Sequence, residues 1–287
     1  MHPDGDIHLS VIRQQAKLFA NDKVAGVFIC GTTGEGPSLS TAERKAVAEA
    51  WLEARAAGFT VIVNVGHDSL REAQALADHA RAVHADAVAM HPPSYFRPQS
   101  VASLVECCRP VAEAAGNLPF YYYHIPPLTG VSVPMVEFLR CGRRAIPTLN
   151  GVKFSDRNLA EYKSCLDLDG RAFDILYGVD EMLIGALALG GTRAIGSTYC
   201  YAAPLYRNMI DAFNSGDLNR ARTLAALAVG LSEAISAVDP VAAGKVCMAV
   251  RGVDCGPVRP PLRTLSDRER ARLEERLREL HIFEFTP

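Results

Sequence analysis

The sequence predicts an α/β fold: a (β/α)₈ TIM barrel carrying extra C-terminal helices. Three observations predict it. Short β-rich apolar runs alternate with helical patterns, the mark of a parallel sheet wrapped by helices. Five of these runs end in small sets of hydrogen-bonding or reactive residues, and parallel strands bring such ends to one face, the face that holds the active site in a (β/α)₈ barrel. A length of 287 residues suits one such barrel or two smaller domains.

The elements follow in order. A helical pattern over His8 to Ala20 comes first. Strands are expected near 24–30, 60–66, 86–90, 118–123, 148–153, 172–177 and 193–197. Helices follow near 41–57, 69–84, 100–115, 133–141, 156–168, 180–190 and 202–215. Ser40 with Glu43 and Ser69 with Glu72 fit the capping box, in which each side chain satisfies a free backbone donor of the helix start. Three more helices are expected near 218–238, 240–251 and 266–281, the last strongly charged and so a solvated outer face. Pro257, Pro260 and Pro261 mark the linker before it. The expected division is a barrel over 1–215 and a helical extension packed on it over 216–287. Seven strands are found where a barrel needs eight, and only seven polar, turn-like residues precede the first helix. The expectation is a barrel lacking its first strand, with Met1 an internal methionine of a longer ancestral chain.

Composition excludes several classes. Hydrophobic content of 49% with 22% charged residues describes an ordinary globular protein. A formal net charge of −2 offers no global attraction to nucleic acid or an anionic membrane. No apolar stretch reaches the roughly 20 residues of a membrane span, and the polar start has no signal-peptide core. No Cys-x-x-Cys pair occurs among the eight cysteines, which reads as reduced thiols in a cytoplasmic protein. His67, His91 and His124 follow strands without metal-ligand spacing, so no metal is expected.

The strand ends hold the chemistry. Gly151-Val152 leads into Lys153-Phe154-Ser155-Asp156, and Lys153 is one of only six lysines. A lysine at a strand end is usually a solvated surface residue. On an apolar approach it is also a candidate for the neutral amine that attacks a ketone to form a Schiff base. Tyr123 closes a run of three tyrosines; its phenol can move a proton, or it can be a packing residue of the sheet. Alternation puts Tyr121 and Tyr123 on one face and Tyr122 on the other. Gly31-Thr32-Thr33-Gly34-Glu35 offers two hydroxyls and flexible backbone N–H groups suited to a carboxylate, or is an ordinary turn. It is no P-loop, because no Gly-Lys-Ser/Thr follows. Asp180 and Glu181, after Gly178-Val179, either accept from sugar hydroxyls or favour a helix N-terminus. Ser155, Ser197 and Thr198 are weak signals singly.

Together these motifs resemble the N-acetylneuraminate lyase and dihydrodipicolinate synthase superfamily of class I aldolases, on its animal-type N-acetylneuraminate lyase branch. The resemblance runs from about residue 5 into the 250s. Gly31-Thr32-Thr33-Gly34-Glu35-Gly36 is similar to the family's loop for the pyruvate carboxylate. Tyr121-Tyr122-Tyr123-His124-Ile125-Pro126 resembles its catalytic tyrosine segment, and Gly151-Val152-Lys153-Phe154-Ser155-Asp156 its Schiff-base strand. Gly178-Val179-Asp180-Glu181 and Gly196-Ser197-Thr198-Tyr199 are similar to its sugar-binding turns.

The resemblance implies reversible cleavage of N-acetylneuraminate (sialic acid) to N-acetylmannosamine and pyruvate, without metal or organic cofactor. It implies that Lys153 forms the imine, Tyr123 transfers protons, and Thr32 and Thr33 hold the carboxylate. Ser155, Gly178, Asp180, Glu181 and Ser197 would contact the sugar. Dihydrodipicolinate synthases carry an arginine where this chain has Leu128, so a neutral sugar suits this site better than an aldehyde with its own carboxylate. The family implies a homotetramer, with Tyr95 the candidate aromatic lent to a neighbouring subunit's site. Family members begin with a strand ahead of the turn that Pro3-Asp4-Gly5-Asp6 resembles, and this chain has none there. Two alternatives stand beside the lyase: a pyruvate-dependent aldolase for another sugar acid, and a truncated, catalytically impaired ligand-binding form.

Overall fold

The computed structural model describes residues 1–285. Strands β1 (Gly26–Ile29), β2 (Thr60–Asn64), β3 (Ala87–Met90), β4 (Phe120–His124), β5 (Leu149–Phe154) and β6 (Asp174–Tyr177) form one sheet in sequential order. Every neighbouring pair is parallel. Such connections need a crossover, and helices supply it. In chain order they are α1 (Val11–Asn21), α2 (Thr41–Ala54), α3 (Leu70–Ala82), α4 (Val101–Ala114), α5 (Pro126–Thr129), α6 (Met135–Ala145), α7 (Leu159–Asp167), α8 (Leu183–Ala188) and α9 (Tyr199–Asn214). Three more close the chain: α10 (Leu218–Ser236), α11 (Pro240–Val250) and α12 (Asp267–Glu279).

The sheet curls into a half-barrel with two hydrophobic layers. Its inner face gathers Ile62, Ala87, Ala89, Tyr121 and Leu176, with Phe28 and Ile195 against them. Its outer face sends Val61, Val63, Val88, Phe120, Tyr122 and Val152 under the helices. The strands therefore read as near-continuous apolar runs, because both faces are covered. Tyr122 packs on Phe138 of α6 at 4.8 Å, while Tyr121 and Tyr123 turn inward, as strand alternation requires.

The expected seventh strand is reduced to a single bridge between Tyr177 and Ala194, held by Tyr177 N to the Arg193 carbonyl and Ile195 N to the Tyr177 carbonyl. Gly190, Gly191 and Gly196 crowd this segment and give it little side-chain area to pack. Among the described residues no strand pairs with the outer edge of β1. That edge borders a cavity of about 210 Å³ lined by Phe28, Ile29, Phe19, Trp51, Tyr201 and Met248.

Helix ends follow local chemistry. Ser40 and Glu43 form the full capping box at α2. At α3 only one half forms: Ser69 accepts from Glu72 N, while Glu72 Oε2 accepts instead from the Thr41 hydroxyl at 2.6 Å. The segment expected as one helix over 180–190 is a 3₁₀ turn, Asp180–Met182, followed by α8. Helix α9 starts three residues earlier than expected, at Tyr199. Helix α12 has a charged exterior but anchors through buried Leu273 and Leu277. No single helix among the described residues is long and apolar enough to cross a membrane.

Candidate active site

Strands β4 and β5 build the centre. Tyr123 and Lys153 are register partners, so both side chains leave the sheet on the inner face near its C-terminal edge. Lys153 is only 6% exposed. Its Nζ lies 3.6 Å from the Tyr123 ring centroid and 4.9 Å from that of Phe28. It donates to Ser155 Oγ at 3.3 Å, which is its only hydrogen bond among the described residues. Phe28 meets Tyr123 edge to face at 5.2 Å and walls the amine from β1. Sequence had left open a solvated lysine; the structure buries it between two aromatic rings.

The Thr32–Thr33 loop reaches the same centre. Thr32 Oγ1 and the Tyr123 hydroxyl are 3.3 Å apart. Thr32, Thr33 and Gly34 are exposed toward the open end. Glu35, with φ of 52°, is buried beneath them. Its carboxylate takes Lys245 Nζ of α11 at 2.6 Å and Arg259 N at 2.8 Å. The Arg259 guanidinium also grips Glu43 at 2.6 Å and the Ser38 carbonyl, and holds the Glu43 carboxyl at about 2. The C-terminal segment thus ties down the threonine loop. Sequence reasoning missed Glu35, Lys245 and Arg259, because their partners lie more than 200 residues away.

The remaining residues line the rim. Ser155 is buried, and a Cβ on Gly178 would fall 2.1 Å from Ser155 Oγ, so only glycine leaves that hydroxyl in place. Asp180 is buried and accepts from Thr198 N at 2.8 Å, Thr198 Oγ1 at 2.6 Å and Ser197 Oγ at 3.5 Å, all on Oδ2. Burial pushes its carboxyl above the usual range, against the pull of Thr198 and of Lys153. Glu181 pairs with the exposed Arg157 at 2.6 Å. His124 points away from the centre, among Tyr122 and Phe154, and burial lowers its pKa to about 4. His91 meets Asn64 at 3.1 Å, and His67 accepts from Ser69 N. The described residues contain no cluster of three or more His, Cys, Asp or Glu side chains able to hold a metal.

A buried amine, a phenol and a hydroxyl loop at the C-terminal edge of a parallel sheet can bind a 2-oxo acid and form an imine with it. The chain matches the Dihydrodipicolinate synthetase family over residues 1–280. The chain belongs to the dihydrodipicolinate synthetase family. It is 42% identical over 269 residues to N-acetylneuraminate lyase A of Xenopus laevis, covering 91% of this chain and 87% of that protein. Its fold superposes on that of Proteus mirabilis N-acetylneuraminate lyase with a TM-score of 0.96 at 36% identity, over 98% of this chain and 95% of the other. A Ruminococcus gnavus sialic acid aldolase, solved as a catalytic lysine mutant, superposes at 0.91 and 26% identity, over 97% and 91%. Within the family fold, all nine residues singled out from sequence lie at the C-terminal ends of β1, β4, β5 and β6 or in the turn after Ala194. Thr198 belongs with them by geometry, though alone it was a weak signal.

Proposed function

We propose that this chain is a class I aldolase of the N-acetylneuraminate lyase type, a lyase that reversibly splits sialic acid into N-acetylmannosamine and pyruvate. The observation that carries the reading is the meeting of Lys153, Tyr123 and Thr32 in one half-enclosed centre. The names of the relatives point the same way.

In this reading Lys153 Nζ attacks the C2 ketone of the open-chain sugar acid and water leaves, giving a protonated imine. Tyr123 takes the proton of the C4 hydroxyl. The C3–C4 bond breaks, and its electron pair flows into the imine to leave the enamine of pyruvate and a free aldehyde. Proton return to C3 and hydrolysis release pyruvate and restore the amine. The imine is itself the electron sink, so the chemistry needs neither a metal nor an organic cofactor. Thr32 and Thr33 hold the carboxylate, and Ser155, Gly178, Asp180, Glu181 and Ser197 receive the sugar portion.

Residues 1–215 act as the catalytic barrel and 216–287 as a helical extension that braces it; the Lys245–Glu35 pair supports that division of labour. Tyr95 and Phe96 are 80% and 85% exposed, an apolar pair suited to a subunit contact in a homotetramer. Eight free thiols suit the reducing cytoplasm.

The open edge of β1, next to the threonine loop, favours one second reading: a ligand-binding form with impaired turnover. One experiment separates the two. Pyruvate plus borohydride should leave a mass increment on the Lys153 peptide. No increment on folded protein would remove the aldolase reading and favour the impaired form.

A further inference from the structure

Asp180 is a buried carboxylate with no cation in hydrogen-bond range among the described residues. What holds it is Thr198, 1% exposed, which gives it both a backbone N–H and a hydroxyl. Thr198 Oγ1 is also 2.7 Å from the hydroxyl of Tyr206, on the second turn of α9. A threonine hydroxyl has one proton, and an ionised carboxylate can only accept. The Thr198 proton therefore goes to Asp180, and the Tyr206 hydroxyl donates to Thr198. Tyr206 is held by Tyr199, whose ring stands edge-on at 4.3 Å. The order of donation runs Tyr206 to Thr198 to Asp180, and it ends on one oxygen.

The other oxygen is left free. All three protein donors go to Oδ2, and none among the described residues goes to Oδ1. A Cβ on residue 196 would fall 1.7 Å from Oδ1, so the carboxylate occupies space that only Gly196 vacates. Lys153 is near enough to favour its negative charge. A carboxylate saturated on one side and bare on the other is an acceptor for a hydroxyl donor brought to the amine.

Resting on the aldolase reading, we propose that Thr198, backed by Tyr206, is a positioning residue that holds Asp180 Oδ1 toward a hydroxyl of the aldehyde partner and so sets selectivity for polyhydroxylated aldehydes. It has no part in capturing the 2-oxo acid, which falls to Lys153 and the threonine loop.

The two half-reactions test this. Borohydride trapping with pyruvate alone reads imine formation, and condensation of pyruvate with N-acetylmannosamine reads the aldehyde side. In Thr198→Val the KM for N-acetylmannosamine should rise about tenfold, the scale of one charge-assisted hydrogen bond. The pyruvate dependence of trapping should stay within about twofold in the same variant, since no donor to its carboxylate is lost. Thr198→Ser should restore the aldehyde KM, and Tyr206→Phe should raise it about threefold by leaving Thr198 Oγ1 without its donor. An unchanged aldehyde KM in folded Thr198→Val, or equal losses in both half-reactions, overturns the inference. Should Thr198→Val fail to fold by circular dichroism, Tyr206→Phe decides: a rise confined to the aldehyde supports the inference, and no rise overturns it. Absence of a wild-type adduct removes the aldolase reading and this inference with it; a wild-type adduct with unselective losses removes the inference alone.

Discussion

Lys153 Nζ lies 3.6 Å from the ring centroid of Tyr123, and the two residues face each other across adjacent parallel strands. Their register fixes the distance. Neighbouring strands run about 5 Å apart, and partner side chains on one face have no choice but to meet. The amine and the phenol are thus placed by the sheet itself rather than by a loop.

Removing the amine should end the chemistry. In Lys153→Ala, borohydride trapping with pyruvate should give no adduct, and turnover should fall to background. Retained turnover in that variant would sink the Schiff-base mechanism.

Removing the phenol oxygen should split the steps. Tyr123→Phe keeps the ring against Lys153 but loses the hydroxyl that meets Thr32. Adduct formation with pyruvate should persist, while kcat for cleavage drops by about 10²–10⁴. Equal loss of trapping and turnover would mean that Tyr123 positions the lysine rather than moving a proton.

Asp180 should trade stability for binding. Its folded-state pKa is raised, so the charged form subtracts stability above that pKa and the deficit disappears as pH falls through it. Asp180→Asn should raise the thermal midpoint at pH 7 by about 2–4 °C while weakening aldehyde binding. The gain should vanish in acid. A midpoint that falls at pH 7 and stays low in acid would show that the carboxylate is needed for the fold.

Acid should act through His124. Burial holds its pKa at about 4, below its unfolded value near 6.5. The unfolded chain then binds the extra proton first, so stability is present above about pH 6.5 and is lost as pH falls toward 4. The loss is on the order of 3 kcal/mol for this one side chain. Burial lowers His91 to about 4 in the same way, so urea melts from pH 7 to 4 should show the slope of both side chains, and His124→Gln should remove about half of it.

The bare edge of β1 gives a stability test. Appending about eight β-forming apolar residues ahead of His2 should raise the thermal midpoint by covering unpaired backbone groups and the cavity beside Phe28 and Trp51. An unchanged midpoint would mean that the edge is already satisfied by solvent and by the helices around it.

Much of this was legible from local pattern. Strand positions follow from runs apolar on both faces, as in Val61 to Val63, and capping at Ser40 follows from a three-residue spacing. The seventh strand was over-read at 193–197: the run meets β6 through a single bridge at Ala194, and the glycines around it leave little side-chain area to pack. Ser69 resembled Ser40, yet Glu72 left the box for Thr41, a residue that only packing brings near.

The sequence by itself determined the alternation of strands and helices, the reactive residues at the strand ends and the family to which they belong. These are short-range properties, carried by periodicity and by spacing along the chain. Only the tertiary structure decided that Lys153 is buried against Tyr123, that Glu35 is clamped by Lys245 and Arg259, and that Asp180 is held by Thr198 and Tyr206. Those contacts join residues 8 to 224 positions apart, and what they decide — burial, donor order and which oxygen stays free — depends on distances in space that no local pattern encodes.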